Sequence, residues 1–136
     1  MGWFSGKLPV NLGLQEGRLS PCPGRPNCVS SQAEDDAHRV APLTIGPSET
    51  AAAVWERLQR VLEKMTRVQI VTVTDDYLHA ECASTVFGFV DDLECALDAE
   101  AGVIHLRSAA RTGHSDFGMN RRRIETLRRR LGQKWA

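Results

Sequence analysis

From about residue 38 onward, apolar and polar positions alternate with clear periods. In residues 49–65, Ala51, Val54, Trp55, Leu58, Val61, Leu62 and Met65 recur at spacings of three and four. Glu56, Arg57, Gln59, Arg60, Glu63 and Lys64 fill the positions between, so the stretch predicts an amphipathic helix with a solvated outer face. Gly46-Pro47 breaks the chain before it, and Ser48 is the expected N-cap. Four strand patterns follow, over residues 67–74, 77–84, 89–97 and 103–110. Asp75-Asp76, a turn near Gly88 and residues 99–102 separate them. A last helix over 121–135 places Ile124, Leu127, Leu131 and Trp135 on one stripe, with Asn120 as its expected N-cap. Residues 39–45 read as a short first strand, demoted to an edge or bulged position by Pro42.

The order β-α-β-β-β-β-α predicts an α+β fold, a two-layer sandwich in which an antiparallel meander sheet carries both helices on one face. In the later three strands Leu78, Ala80 and Cys82, then Leu93, Cys95 and Leu97, then Ile104 and Leu106 supply that apolar face. Cys82 and Cys95 lie on it and read as small buried hydrophobes. The opposite face carries Tyr77, His79 and Glu81, then Asp92 and Glu94, then His105 and Arg107. It is either a solvated face or a binding surface, and a turn at 99–102 sets Glu94 opposite Arg107. Residues 38–136 form this single domain. Residues 1–37 show neither period, and Pro21, Pro23 and Pro26 stiffen a turn-rich loop, so an irregular Pro/Gly-rich arm is expected. Trp3, Phe4, Leu12, Leu14 and Val29 are apolar enough to pin that arm onto the domain.

A chain of 136 residues holds one core without staples, and 42% hydrophobic with 25% charged residues is ordinary for a globular protein. The formal net charge of zero hides a segregation. Arg121, Arg122, Arg123, Arg128, Arg129, Arg130 and Lys134 crowd the last helix, while the strands are acidic. No aromatic residues interleave with those arginines as stacking platforms, which argues against nucleic acid as a partner. No apolar run approaches the ~20 residues of a membrane span. The first residues lack the apolar stretch of a signal peptide and the pattern for myristoylation, so a cytoplasmic location is the default expectation. No C-x-x-C or H-x-x-x-H spacing occurs, and neither a metal site nor a cofactor is expected.

The densest chemistry lies in residues 107–123, R-S-A-A-R-T-G-H-S-D-F-G-M-N-R-R-R. Three arginines open a helix where the macrodipole favours acids, at a cost of a few tenths of a kcal/mol each. Arginine suits planar, bidentate recognition of carboxylate and phosphate. One reading is a binding module in which Arg107, Arg111 and Arg121 donate to an anionic small molecule or peptide carboxylate, and Ser30, Ser31, Ser108 and Ser115 complete the site. A competing reading is internal: Asp91, Asp92 and Asp116 pair with the arginines, and the serines cap backbone amides. A third is a hydrolase-like or thiol-dependent enzyme using His79, His114, Ser30, Ser115 and Asp116, or Cys28 as a thiol activated by nearby arginines. No G-x-S-x-G elbow supports the serine version. Cys22 and Cys28 equally suit a small disulfide in an oxidising compartment; a cytoplasmic location predicts free thiols.

Four ordered motifs carry a likeness: C-P-x-x-P-N-C-V-S-S (22–31), Y-L-H-A-E (77–81), F-G-F-V-D-D (87–92) and R-S-A-x-R-x-G-x-S-D-x-G-x-N-R-R-R (107–123). Together they resemble the domain-of-unknown-function 1499 family over nearly the whole chain. The resemblance implies bacterial and plastid relatives, some bearing a membrane anchor not seen here, and no established activity. The family's motif residues fall on Cys22, Asn27, Cys28, Ser30, Ser31, His79, Glu81, Asp91, Asp92, Arg107, Ser108, Arg111, Ser115, Asp116, Asn120 and Arg121. The expected ligand-binding set is Asn27, Cys28, Ser30, Ser31, His79, Arg107, Ser108, Arg111, Ser115, Asp116, Asn120 and Arg121, serving a non-catalytic binding or accessory role.

Overall fold

The structure is a computed structural model that describes residues 8–84, 89–113 and 115–133. The fold is α+β. A helix α1 (Ala51–Lys64) and a helix α2 (Met119–Arg130) pack on one face of a mostly antiparallel sheet. The sheet's centre is a meander of β5 (Val68–Val73), β6 (Tyr77–Ala83), β7 (Val90–Asp98) and β8 (Val103–Ala110). Beyond β8 lie two earlier segments, β3 (Cys28–Ser30) and β4 (Leu43–Thr44), both antiparallel to it. A separate hairpin joins β1 (Leu14–Gln15) to β2 (Arg18–Leu19) through Glu16 and Gly17, both at positive φ as a two-residue turn requires.

The helix-facing side is as the periodicities predict. Val54, Leu58, Leu62, Ile124 and Leu127 meet Leu78, Ala80, Cys82, Leu93, Cys95, Ile104 and Leu106 in one buried cluster. Each fully buried leucine there contributes about 2 kcal/mol relative to exposure. Cys82 and Cys95 are free thiols inside it, and burial pushes Cys82 up to about 11, so both act as hydrophobes. The register sets Glu94 against Arg107, as the 99–102 turn requires. Trp135 and the turn near Gly88 lie outside the described residues.

Both caps differ from expectation. Thr50, two residues after Ser48, caps α1 by accepting from Ala53 N at 3.1 Å. Glu49 turns back to accept from Gly46 N at 2.9 Å. At α2 the cap is Gly118, whose φ of 79° turns the chain before Asn120 is reached. Asp116 instead accepts from Gly118 N at 2.8 Å and Asn120 N at 3.1 Å. It thereby supplies the negative charge that the arginine-rich first turn lacks.

The arm is more regular than its composition predicts. Its β3 is a true member of the main sheet, but all three residues are buried, so no alternation marks it. The strand expected over 39–45 shrinks to two residues because Pro42 cannot donate to a ladder. Arg39 forms only an isolated bridge to Ser30. Arg128, part of a charge run in sequence, is 2% exposed. It donates to Pro42 O at 3.0 Å, Ala41 O at 2.7 Å and Glu125, tying the lead-in of β4 to α2. Among the described residues no helix is long and apolar enough to cross a membrane.

Candidate functional site

The sheet face away from the helices is neither wet nor apolar. His79, Glu81, Asp92, Glu94 and Arg107 project from β6, β7 and β8 and are all buried. Residues 8–27 supply their cover, through contacts that reach far along the chain. Gly13 N donates to Glu94 Oε2 at 2.8 Å, and Tyr77 OH donates to the same oxygen. Burial first, and the hydrogen bond to Glu94 second, push the Tyr77 phenol well above its usual range. Arg107 reaches out of the sheet to Pro21 O at 3.3 Å, with Glu94 Oε1 3.6 Å from its Nη1.

Next to this pair stands a second, tighter one. Arg111 holds Asp92 in a fork, Nε to Oδ2 and Nη2 to Oδ1 both at 2.8 Å, and also donates to Glu81. His79 Nε2 donates to Asp92 Oδ1 at 2.7 Å. Burial alone would raise the Asp92 carboxyl, but the hydrogen bonds from Arg111 and His79 outweigh it and hold the group below the usual carboxylate range. For Arg107 burial wins the other way and lowers the guanidinium from its ordinary value, with Glu94 opposing.

Between these pairs and the loop that covers them is a cavity of about 180 Å³. Arg25, Asn27, Asp92, Arg107 and Arg111 contribute its polar lining, and Pro9 and Pro23 part of its apolar lining. Arg107 Nε and Arg111 Nη1 are buried donors without a hydrogen-bond partner among the described residues. Glu94 Oε1 also lacks one, but it faces Arg107 at ion-pair distance. Two of the arginines that line the cavity thus retain an unmatched donor each.

Of the expected site residues, the structure brings Asn27, Arg107 and Arg111 to this cavity, with His79 immediately behind Asp92. The others fall elsewhere. Ser108, Asp116 and Asn120 join Arg123 and Asp91 in a network at the start of α2. There Ser108 Oγ donates to Asn120 Oδ1 at 2.5 Å, and Asn120 Nδ2 donates to Asp116 at 2.7 Å and to Asn27 O at 3.2 Å. Arg123 completes it through Asp91 Oδ2 at 2.8 Å and Asn120 Oδ1 at 2.9 Å. Burial raises the Asp91 carboxyl despite Arg123. Arg121 donates to Arg39 O and Ala37 O at 2.8 and 2.9 Å, clasping the chain that leads to β4. Ser30 Oγ accepts from Gln32 N, and Ser115 Oγ from Phe117 N. Ser31 Oγ accepts from Leu106 N at 2.8 Å and lies 3.0 Å from His105 Nδ1. His114 lies outside the described residues.

Cys28 requires a correction. It is joined to Cys22 in a disulfide, so neither is the free thiol that a cytoplasmic default implied, and Cys28 in this state is no nucleophile. The six-residue separation across a proline-rich turn brings the two sulfurs together at the rim of β3. Arg25 was missed as a cavity residue, since a lone arginine between prolines carries no periodic signal. Arg128 was also missed, although its spacing carried a signal: it lies four residues after Ile124 and three before Leu131, on the apolar stripe.

A family model described as a protein of unknown function matches residues 18–131. The chain belongs to the DUF1499 family. The match takes in both arginine pairs, the disulfide and the α2 network, so every feature of the cavity except Pro9 and Asn11 lies within the DUF1499 span. No curated protein matches the chain. Among the described residues, no group of three or more His, Cys, Asp and Glu side chains is arranged to hold a metal ion.

Proposed function

We propose that this chain is a non-catalytic binding or accessory module that holds a small anion, or the carboxylate end of a larger molecule, against Arg107 and Arg111. The observation that carries the reading is that two arginines lining one cavity, Arg107 and Arg111, each keep a buried guanidinium nitrogen, Nε and Nη1, without a hydrogen-bond partner among the described residues. A buried donor without a partner costs about 1–3 kcal/mol, more when charged, and an anion would recover it. The volume supports the ligand class: about 180 Å³ is below the ~300–1,000 Å³ of pockets that enclose drug-sized molecules. Asp92 does not oppose the reading, since Arg111 and His79 already engage both of its oxygens.

The test is a titration of the nitrogen-15-labelled chain with acetate and with inorganic phosphate, following arginine Nε–Hε resonances. Saturable movement of the Arg107 resonance, lost in Arg25→Ala or weakened by ~10-fold, is the expected result. A resonance indifferent to both anions sinks the reading.

A second reading, a serine hydrolase, draws on the Ser31–His105 contact at 3.0 Å. Burial lowers the His105 ring below its ordinary value, so it is neutral and able to accept from Ser31. Labelling of Ser31 by a fluorophosphonate, abolished in His105→Gln, would establish this version in place of the binding module.

A further inference from the structure

The Cys22–Cys28 disulfide closes the loop that forms one wall of the arginine cavity. The two ends of that loop are held very differently. At the Cys28 end, β3 is paired to β8, Asn27 O accepts from Ala110 N at 3.0 Å, and Asn27 Nδ2 donates to Gly113 O at 2.7 Å. At the Cys22 end, Pro21 O takes the 3.3 Å bond from Arg107, and Ser20 Oγ donates to Asn11 O at 2.7 Å. Between the ends Pro23, Gly24, Arg25 and Pro26 are exposed, and this span is tied by His38 Nε2 donating to Arg25 O at 2.9 Å. Two of the prolines have no N–H with which to add another. Upstream of Pro21, Leu19 is buried and its N donates to Gln32 Oε1 at 3.0 Å, so the covalent bond is the restraint that joins this anchored stretch to β3 and holds Pro23 and Arg25 at the cavity between them.

The two sulfurs also differ in access. Cys28 is buried within the sheet, whereas Cys22 is partly exposed on the arm. We infer that this disulfide is a reversible thiol-exchange site for a dithiol reductant and that its redox state gates the anion site: oxidised, the loop closes the cavity; reduced, the loop leaves and the anion is released. The inference rests on the binding role argued above for Arg107 and Arg111. In the exchange, a thiolate of the reductant attacks Cys22 Sγ, forming a mixed disulfide and expelling Cys28 as thiolate, which takes up a proton. The reductant's second thiol then displaces Cys22. The chain gains two electrons and two protons as two thiols, and the dithiol becomes a disulfide. The hydrophobic core and the remaining free cysteines lie on the other face of the sheet, so the fold survives the change.

The experiment uses the full chain and dithiothreitol as the dithiol, with hydrogen–deuterium exchange and iodoacetamide labelling as readouts. Reduction should expose alkylatable Cys22, while Cys82 and Cys95 stay unreactive. Amides in residues 9–27 should exchange about tenfold faster or more, with the β5–β8 ladders and both helices unchanged. Cys22→Ser with Cys28→Ser should reproduce the reduced pattern without reductant. A disulfide that resists dithiothreitol in the folded protein overturns the inference. So does a loop whose exchange does not respond, or a loss of protection spread over β5–β8, which would make the bond a staple of the fold. Binding is read separately with inorganic phosphate as probe: the oxidised form should bind at least ~10-fold more tightly than the reduced form. Phosphate that moves the Arg107 resonance equally in both forms overturns the gate and leaves the binding site standing. Phosphate that moves it in neither form overturns the binding reading, and the gate of that site with it, even where exchange shows the loop released.

Discussion

Asp92 and Leu93 are neighbours in β7 and face opposite ways. Leu93 enters the cluster under the two helices; Asp92 enters a cluster of charges under the arm. The two faces are equally dry and held by different physics. Under the helices, stability grows with apolar area and tolerates exchange among apolar groups of similar volume. Under the arm, each buried charge has lost its water, and the attraction of its partner offsets that loss only where geometry is good. The Asp92–Arg111 fork meets that standard, whereas the Glu94–Arg107 pair at 3.6 Å falls short of it. A face built for stability alone would not keep the weaker pair, and this is what directs attention to the cavity beside it.

The largest expected effect comes from breaking the good pair. Asp92→Ala strands Arg111 and His79 and should lower unfolding free energy by about 4 kcal/mol in urea denaturation. Leu93→Ala, one residue away on the other face, should cost about 3 kcal/mol through the cavity it leaves. An Asp92→Ala loss well below the Leu93→Ala loss would mean that the polar face is solvated in solution, and the contrast between the faces would fail.

Removing the disulfide comes next. Cys22→Ser with Cys28→Ser should lower the urea midpoint by the equivalent of no more than about 1 kcal/mol, because the released loop regains in the folded chain much of the freedom that the short closed loop denies the unfolded one. The weaker ion pair sharpens the comparison from the other side. Glu94→Gln with Arg107→Met keeps an acceptor for Tyr77 and Gly13 while removing both charges, and stability should stay within about 1 kcal/mol of the parent. If that variant keeps its stability and loses acetate or phosphate binding, Arg107 serves the ligand and not the fold.

The smallest effect is a pH dependence at the arm. The Arg25 carbonyl first, and Asp35 second, raise the His38 pKa above its ordinary value, because only the protonated ring donates to both. A histidine with a raised folded pKa contributes stability that is complete below its unfolded pKa and is lost as pH rises through the folded pKa. His38→Gln should therefore depress Tm at about pH 6 and leave it nearly unchanged at about pH 9. Equal depression at both values would show that protonation of His38 contributes nothing.

The helix-facing half of the molecule was legible because its signals are local. Val54, Leu58 and Leu62 repeat at helical spacing, Leu93, Cys95 and Leu97 alternate, and the 99–102 turn alone determines that Glu94 meets Arg107. The arm-facing half was not, because its contacts join residues far apart in sequence. Nothing near Gly13 announces that its N–H meets Glu94, and nothing near Pro21 announces Arg107. For the same reason the polar face could be recognised as unusual, through His79, Glu81, Asp92 and Glu94, while its burial could not. The motif residues of the last loop were visible as a set, but residue type does not reveal that Arg121 clasps backbone carbonyls while Arg111 borders a cavity.

The pairing of β3 with β8 sets an order of events during synthesis. Cys28 leaves the ribosome long before Ala109, its partner across the ladder, exists. The β5–β8 hairpins close over short loops and form early, whereas the arm must wait for the last strand before it can dock. The arm, made before the strand it docks on, is therefore among the last parts to be placed, and until then Cys22 and Cys28 meet whatever oxidant or reductant the surrounding compartment supplies.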